Sequence, residues 1–166
     1  KEISYFDGVK HHHYGTQGDD VYVYSKDESD TQVYHLFSGN DIVEYSINNG
    51  ASNYEAGTNV SDKAEIISST DSTNTDIIRF KDIYFDKLIF GYNTDGTGIT
   101  IKTEGDINVA GGKVHKSAEF TYNNFISGST PNLSVESNTE YGTYTVQRFN
   151  GTQEELDLRY IGYKEN

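Results

Sequence analysis

Short runs in which apolar or aromatic residues alternate with polar ones cover residues 3–47. The runs ISYF, VYVY, TQVYHL and DIVEYSI are separated by corners rich in Gly, Asp, Ser and Asn. Successive side chains of a β-strand point to opposite faces, so this period of two is typical of strands with one buried face. No helical period is visible here. The pattern predicts a series of short strands joined by tight corners.

The next segment, residues 48–75, is polar and rich in Asn, Ser, Thr and Gly. Only Lys63–Ser68 (KAEIIS) interrupts it and could add one further strand. We interpret residues 48–75 as a loop-rich insertion.

Strand-like runs return in residues 76–166, among them DIIRF, DKLIFGY, YGTYTVQRF and EELDLRYIGY. The stretch GITIKTEGDINV predicts a hairpin with Glu104 and Gly105 at its tip, because Gly tolerates the positive φ that such a turn needs. Residues 113–125 are compatible with either a helix or a strand, since apolar residues recur four apart but EFTY suits a strand.

Composition supports a folded, β-rich chain of one domain. Hydrophobic residues make up 34% of the 166 residues, with 14 tyrosines and 8 phenylalanines. Aromatic and β-branched residues favour strands, and the length is typical of a single domain. We therefore expect an all-β fold in one domain.

The charge narrows the classes of partner. Thirteen basic against 26 acidic residues give a formal charge of −13, which opposes binding to nucleic acid and favours a bound cation. No run approaches the ~18 apolar residues that span a membrane. The start, KEISYFDG, has no signal-peptide core, and we expect the chain to be a piece of a larger protein.

Three corners share one form. GTQGDD (15–20), SKDESD (25–30) and LFSGND (36–41) each end in Asp and precede a strand, with the final Asp residues 10 and 11 positions apart. Because Gly and Asp are common turn residues, one such corner alone could be an ordinary turn.

The first corner carries a family resemblance. GTQGDDVYV matches the repeat G-G-x-G-x-D-x-U-x at Gly15, Gly18, Asp20 and the large apolar Tyr22, with Thr16 in place of the second Gly. It resembles the RTX, or haemolysin-type calcium-binding, repeats of secreted bacterial proteins. FSGNDIV keeps Gly39, Asp41 and Val43 of the same pattern, whereas SKDESD keeps only its last Asp.

Later segments follow the order found in the haemolysin-type calcium-binding-related domain. These segments are DIIRF, DKLIF, DGTGITI, DINV and VQRFNGT. The resemblance covers most of residues 15–156 and implies a parallel β-roll of about two coils in residues 1–47. We expect an antiparallel β-sandwich-like part, residues 76–166, to be joined to this roll within the same domain.

The resemblance also implies a calcium site at the corners. Calcium takes six to eight oxygen ligands, and Gly residues at φ > 0 turn carbonyls toward an ion. Alternate corners of a roll lie on one edge, so Asp20 and Asp41 are expected to face the same Ca²⁺. Backbone carbonyls near four residues would complete the site: Thr16, Gly18, Ser38 and Asn40. The remaining candidate ligands are Asp19, Gly15, Gly39 and Asp30, although SKDESD is better explained as a solvated corner.

The expected function is a calcium-dependent folding module of a secreted or surface-anchored bacterial protein, a toxin or adhesin. The alternative is a carbohydrate- or peptide-binding adhesin domain, with exposed tyrosines as platforms and calcium as a structural or bridging ion. No catalytic motif such as GxSxG or HExxH occurs, so we predict no enzyme. The run His11–His13 is interpreted as exposed polar sequence, because a strand places His12 on the face opposite the other two.

Overall fold

A computed structural model describes residues 3–26, 31–70, 73–92, 98–125 and 132–137, and the backbone alone of strands 143–148 and 156–161. Two 3-10 helices span Ala51–Asn53 and Phe85–Lys87. The strands of these residues are β1 Ile3–Phe6, β2 His11–Tyr14, β3 Val21–Val23, β4 Thr31–Phe37, β5 Ile42–Tyr45, β6 Asn59–Ser68, β7 Asp76–Phe80, β8 Ile89–Tyr92, β9 Ile99–Val109, β10 Gly112–Asn123, β11 Leu133–Ser137, β12 Thr143–Arg148 and β13 Leu156–Ile161. The predicted all-β class is confirmed.

The strands form two sheets. Sheet A has the order β1-β2-β4-β6-β10-β9-β8, and sheet B has the order β13-β12-β11-β7-β5-β3. Strands β2, β4, β6 and β10 pair in parallel in sheet A, and β3, β5, β7 and β11 pair in parallel in sheet B. From β2 to β7 the chain alternates between the sheets, so each pair of strands makes one coil. Strands β10 and β11 make a fourth coil.

Parallel coils continue well beyond residue 47, which differs from the expected division of the chain. Strand β6 lies between β4 and β10 in the middle of sheet A, so the further strand at Lys63–Ser68 is present, but it begins at Asn59, where a loop was expected. The antiparallel strands of residues 76–166 extend the same two sheets, with β8 and β9 beyond β10 and β12 and β13 beyond β11. The ranges 1–47, 48–75 and 76–166 therefore do not correspond to separate sheets.

Two local predictions in the second half are resolved by strand pairing. Strand β9 runs straight through the expected hairpin tip, with Gly105 opposite Lys116 of β10. The turn lies instead between β9 and β10, where Gly111 has φ 88°. The ambiguous residues 113–125 form most of β10, a strand because they pair on both sides, with β6 and with β9.

One main hydrophobic core lies between the two sheets. Its centre is aromatic: the ring of Phe120 meets those of Tyr45 at 5.1 Å and Phe80 at 5.4 Å, both in edge-to-face geometry. Alternation alone places about half of the side chains of a strand inward. In fact Tyr22, Tyr24, Tyr34 and Tyr45 are all buried, because each occupies an inward position of the alternation.

Candidate functional site

Three aspartates lie side by side at the edge where the chain enters sheet B. The register pairs Val21 with Ile42 and Ile42 with Ile77, so the residues just before these positions are also neighbours. We call Asp20, Asp41 and Asp76 the aspartate ladder. The prediction that Asp20 and Asp41 meet at one edge agrees with this register.

Carboxylates of the ladder accept backbone hydrogen bonds from the preceding coil. The N–H of Asp20 donates to Oδ1 of Asp41 at 2.8 Å, and the N–H of Asp41 donates to Oδ1 of Asp76 at 3.0 Å. The N–H of Asp76 donates to the carbonyl of Asn132 at 2.8 Å. These bonds satisfy backbone donors where the chain turns into each strand, and they join successive coils.

A second row of hydrogen bonds joins the residues one position before the ladder, and its donors and acceptors are reversed between the coils. The N–H of Asn40 donates to Oδ1 of Asp19, and the N–H of Thr75 donates to Oδ1 of Asn40, both at 2.9 Å. Here each later coil donates to the earlier one. Asp19 and Asn40, expected to offer oxygens to an ion, use a side-chain oxygen each to connect corners.

The carboxylate of Asp20 is held within its own corner. Thr16 donates its N–H to Oδ2 at 2.8 Å and its hydroxyl lies 3.0 Å from both carboxylate oxygens. The N–H of Gly18 donates to the Thr16 hydroxyl at 3.1 Å. Thr16, which replaces a Gly of the repeat pattern, therefore supplies hydrogen bonds that a Gly side chain could not make.

Two glycines of the corners, Gly15 and Gly39, allow close packing, and Gly39 also has a positive φ. Gly39 has φ 103°, and a Cβ there would lie 2.3 Å from the carbonyl oxygen of Gly18. A Cβ on Gly15 would lie 1.8 Å from the hydroxyl of Tyr22. Neither Gly15 nor Gly18 has a positive φ, contrary to expectation, whereas Phe37 has φ 60° at a corner position that corresponds to Thr16.

Asp41 is the most perturbed group of the ladder. Its side chain is fully buried, and its Oδ2 has no hydrogen-bond partner among the described residues. Burial raises the pKa of Asp41 to about 7, the hydrogen bond from Asp20 opposes that rise, and the charges of Asp76, Asp20 and Asp19 add to it. Burial also raises the pKa of Asp76, against hydrogen bonds from Tyr122 and Asp41.

The ladder presents an incomplete set of calcium ligands. Among the described residues, Oδ2 of Asp41 is the single carboxylate oxygen of the ladder without a partner, since Asp20 is bonded by Thr16 and Asp76 by Tyr122 and Asp41. Across the described ranges, no group of three or more His, Cys, Asp or Glu side chains is arranged to hold a metal. Asp30 lies outside the described residues, and Ser38 lines a separate cavity of about 290 Å³.

Histidines of β2 divide between the two faces of sheet A, as the alternation predicts. His12 lies on the outer face, with Nε2 2.7 Å from Oδ2 of Asp7 and Nδ1 2.9 Å from Nε2 of His35. On the other face His11 and His13 stack at 4.8 Å. His11 is buried and His12 and His13 are half-buried, so the interpretation of the run as exposed is wrong.

A buried ion pair at the opposite edge was missed from the sequence. Nζ of Lys116 in β10 lies 2.9 Å from Oδ2 of Asp62 in β6, and both side chains are 1% exposed. The signal was present in the alternation: Asp62 stands between the inward residues Val60 and Ala64, in phase with them. Lys116 occupies the same inward phase in β10.

None of the helices among the described residues is long and apolar enough to cross a membrane. Comparisons with family models, with curated proteins and with solved structures found no match to this chain.

Proposed function

We propose that this chain is a calcium-responsive folding module of the RTX type, within a larger secreted or surface-anchored bacterial protein such as a toxin or adhesin. The observation that carries the proposal is the buried, unpartnered Oδ2 of Asp41, set among the carboxylates of Asp19, Asp20 and Asp76. A divalent cation beside this oxygen would offset both the desolvation of Asp41 and the repulsion among the four carboxylates.

The topology supports the same assignment. Successive strands from β2 to β7 alternate between the two sheets and pair in parallel within each, and Asp-ended corners stack along one edge. We interpret this arrangement as a parallel β-roll of four coils with antiparallel strands at its far end. It is longer than the two-coil roll expected from the repeats alone, because coils without a full repeat still stack.

Asp41 and the corner carbonyls are the groups that would hold the ion. Calcium prefers oxygen ligands, and the Gly18 and Gly39 corners are in direct backbone contact beside Asp41. Asp20 could bind the ion only if its carboxylate gave up the hydrogen bonds that it accepts from Thr16. The proposed site therefore centres on Asp41, with Asp20 as a secondary ligand.

Calcium would act on the folding equilibrium. An ion that binds only the folded state stabilises it by RT ln(1 + [Ca]/Kd), about 2.7 kcal/mol at a hundredfold excess over Kd. The ladder already accepts backbone hydrogen bonds without an ion, so the ion would increase the stability of a fold that these bonds already stabilise. In a calcium-poor cytosol the chain would be less stable and easier to export, and it would gain stability outside the cell.

Thermal unfolding followed by circular dichroism tests the proposal. We expect a higher melting temperature in millimolar CaCl₂ than in EDTA, with MgCl₂ giving a smaller rise. Asp41→Asn should remove most of the calcium effect, whereas Asp86→Asn, which removes an exposed carboxylate elsewhere, should leave it unchanged.

Equal melting temperatures in EDTA and calcium would contradict the proposal, as would a full calcium response in Asp41→Asn. If wild type ignores calcium while Asp41→Ala is destabilised, the ladder acts through its hydrogen bonds alone.

A further inference from the structure

A small cavity opens beside the buried ion pair, at the edge of the fold away from the aspartate ladder. Its volume is about 320 Å³, within the range of small-molecule pockets but near its lower limit. Its walls come from the chain after β3, the turn around the first 3-10 helix, and strands β6 and β10. We call it the Asp62 pocket, and its chief lining residues are Tyr24, Lys26, Asn49, Tyr54, Asp62 and Lys116.

Asp62 brings an unused acceptor to this pocket. Its Oδ2 accepts the hydroxyl of Tyr45 at 2.7 Å and lies 2.9 Å from Nζ of Lys116. Its Oδ1 is buried and accepts no hydrogen bond of ordinary length from the described residues, although the hydroxyl of Tyr24 also interacts with this carboxylate. A buried carboxylate oxygen without a donor costs free energy, so a ligand that supplies the donor would be favoured.

Lys116 brings a donor to the same place. Its ammonium group donates to the carbonyl of Asn49 at 2.8 Å and lies against Oδ2 of Asp62. An ammonium has three N–H donors, so these two contacts leave one that a ligand can accept. The pocket therefore offers an acceptor and a donor from two adjacent, fully buried side chains.

Aromatic rings complete the walls. The ring of Tyr54 is partly exposed at the pocket, and its centroid lies 5.6 Å from Nζ of Lys116. Burial raises the pKa of Tyr54, with the charge of Asp62 adding to the rise, so its hydroxyl stays neutral. A neutral phenol ring provides a flat apolar surface with a polar edge.

We propose that the Asp62 pocket binds a neutral polyhydroxylated ligand, one pyranose unit of a carbohydrate. A sugar hydroxyl is both donor and acceptor, so it can donate to Oδ1 of Asp62 and accept from Lys116. The apolar face of the sugar ring packs on Tyr54. The pocket disfavours a cation beside Lys116 and an anion beside Asp62, and its volume suits one ring rather than a chain of sugars.

The competing explanation is a purely structural ion pair that joins β6 to β10. Such a pair would affect stability but would bind nothing. It accounts for Oδ2 of Asp62, which has partners, and leaves Oδ1 unexplained. Ligand binding therefore discriminates between the two explanations, and stability alone does not.

Saturation-transfer NMR and calorimetry with glucose, galactose, mannose and N-acetylglucosamine test the inference, with choline and acetate as charged probes. We expect at least one sugar to bind and neither charged probe to do so. Tyr54→Ala should weaken sugar binding about tenfold, which corresponds to about 1.4 kcal/mol. Tyr84→Ala, which removes an exposed tyrosine outside the pocket, should bind as wild type does.

The double variant Asp62→Asn/Lys116→Met removes both charges together, so neither is left buried alone, and it should fold but lose sugar binding. The inference is overturned if folded wild type binds none of the sugars, if choline or acetate binds instead, or if both variants bind sugar normally. Titrations in EDTA and in calcium separate this site from the proposed folding role, because a missing calcium response with intact sugar binding would remove that role alone.

Discussion

The backbone N–H of Asp20 donates to Oδ1 of Asp41 at 2.8 Å, so the carboxylate of one coil fixes the corner of the coil before it. Asp76 does the same for Asp41. Regular pairing of β3 with β5 and of β5 with β7 begins at the next residue, so the aspartate side chains extend these contacts one residue into the corner. The aspartates are thus structural groups whether or not an ion joins them, which makes their charge state a determinant of stability.

Stability without calcium should depend on the charge of Asp41. Its pKa in the folded chain is raised to about 7 from a usual value of 3.8, so folding favours the protonated form. The stabilisation by that proton is complete below about pH 4 and is lost as the pH rises toward 7. The amide side chain of the Asp41→Asn variant cannot ionise. As the pH rises from about 4 to 7, the unfolding free energy of wild type should therefore fall relative to that of Asp41→Asn by on the order of 2–4 kcal/mol.

Urea unfolding in EDTA at several pH values measures this difference. Asn can still accept the N–H of Asp20, so the variant keeps the hydrogen bond while losing the charge. Parallel pH profiles for the two proteins would show that Asp41 does not titrate in this range.

Gly39 should tolerate no side chain. A Cβ there meets the Gly18 carbonyl oxygen at 2.3 Å, and φ is 103°. We expect Gly39→Ala to cost roughly 3–5 kcal/mol in chemical denaturation. Gly8→Ala is the matched control, since φ is 94° but nothing lies within 4 Å of the added Cβ. It should cost only about 1 kcal/mol, and equal losses for the two variants would exclude corner contact as the cause.

Gly15 and Tyr22 should be energetically coupled. A Cβ on Gly15 would overlap the Tyr22 hydroxyl oxygen at 1.8 Å, whereas the ring carbon that bears it lies 3.1 Å away. Gly15→Ala should therefore be strongly destabilising alone and less so together with Tyr22→Phe. A double-mutant cycle by urea unfolding should give a coupling of about 1 kcal/mol or more, and simple additivity would contradict the packing.

Breaking the buried ion pair should be worse than removing it. Lys116→Met leaves Asp62 charged and buried, at a cost of about 3–5 kcal/mol. The double variant Asp62→Asn/Lys116→Met leaves no buried charge and should recover most of that loss. Calorimetric melting of wild type and both variants measures this, and a double variant no more stable than Lys116→Met would refute it.

Much of the first half of the fold could be predicted from local pattern. The alternation in TQVYHL and DIVEYSI corresponds to β4 and β5, because a strand exposes its period of two in any short window. The resemblance of GTQGDD and LFSGND to stacked repeats also implied that Asp20 and Asp41 lie on one edge, which agrees with the register. These features depend on residues close in sequence.

Strand β6 shows where local reading fails. The polar letters of NVSDKAEIIS do not distinguish the centre of a sheet from a loop, and Asp62 occupies an inward position of the strand. Lys116 of β10 and the hydroxyl of Tyr45 make that burial tolerable, and Lys116 is brought to Asp62 by parallel pairing of β6 with β10. The Asp62 pocket could not be predicted from the sequence, because its lining residues are also far apart along the chain.

The sequence by itself determined where strands alternate, where corners turn and which corners end in Asp, because turn chemistry and strand period act over a few residues. The tertiary structure alone decided that parallel coils extend past residue 47. It also decided that Asp41 accepts the N–H of Asp20 and keeps a buried oxygen with no partner among the described residues. Parallel register joins residues from different coils, so the partners of a side chain exist only once the coils have stacked.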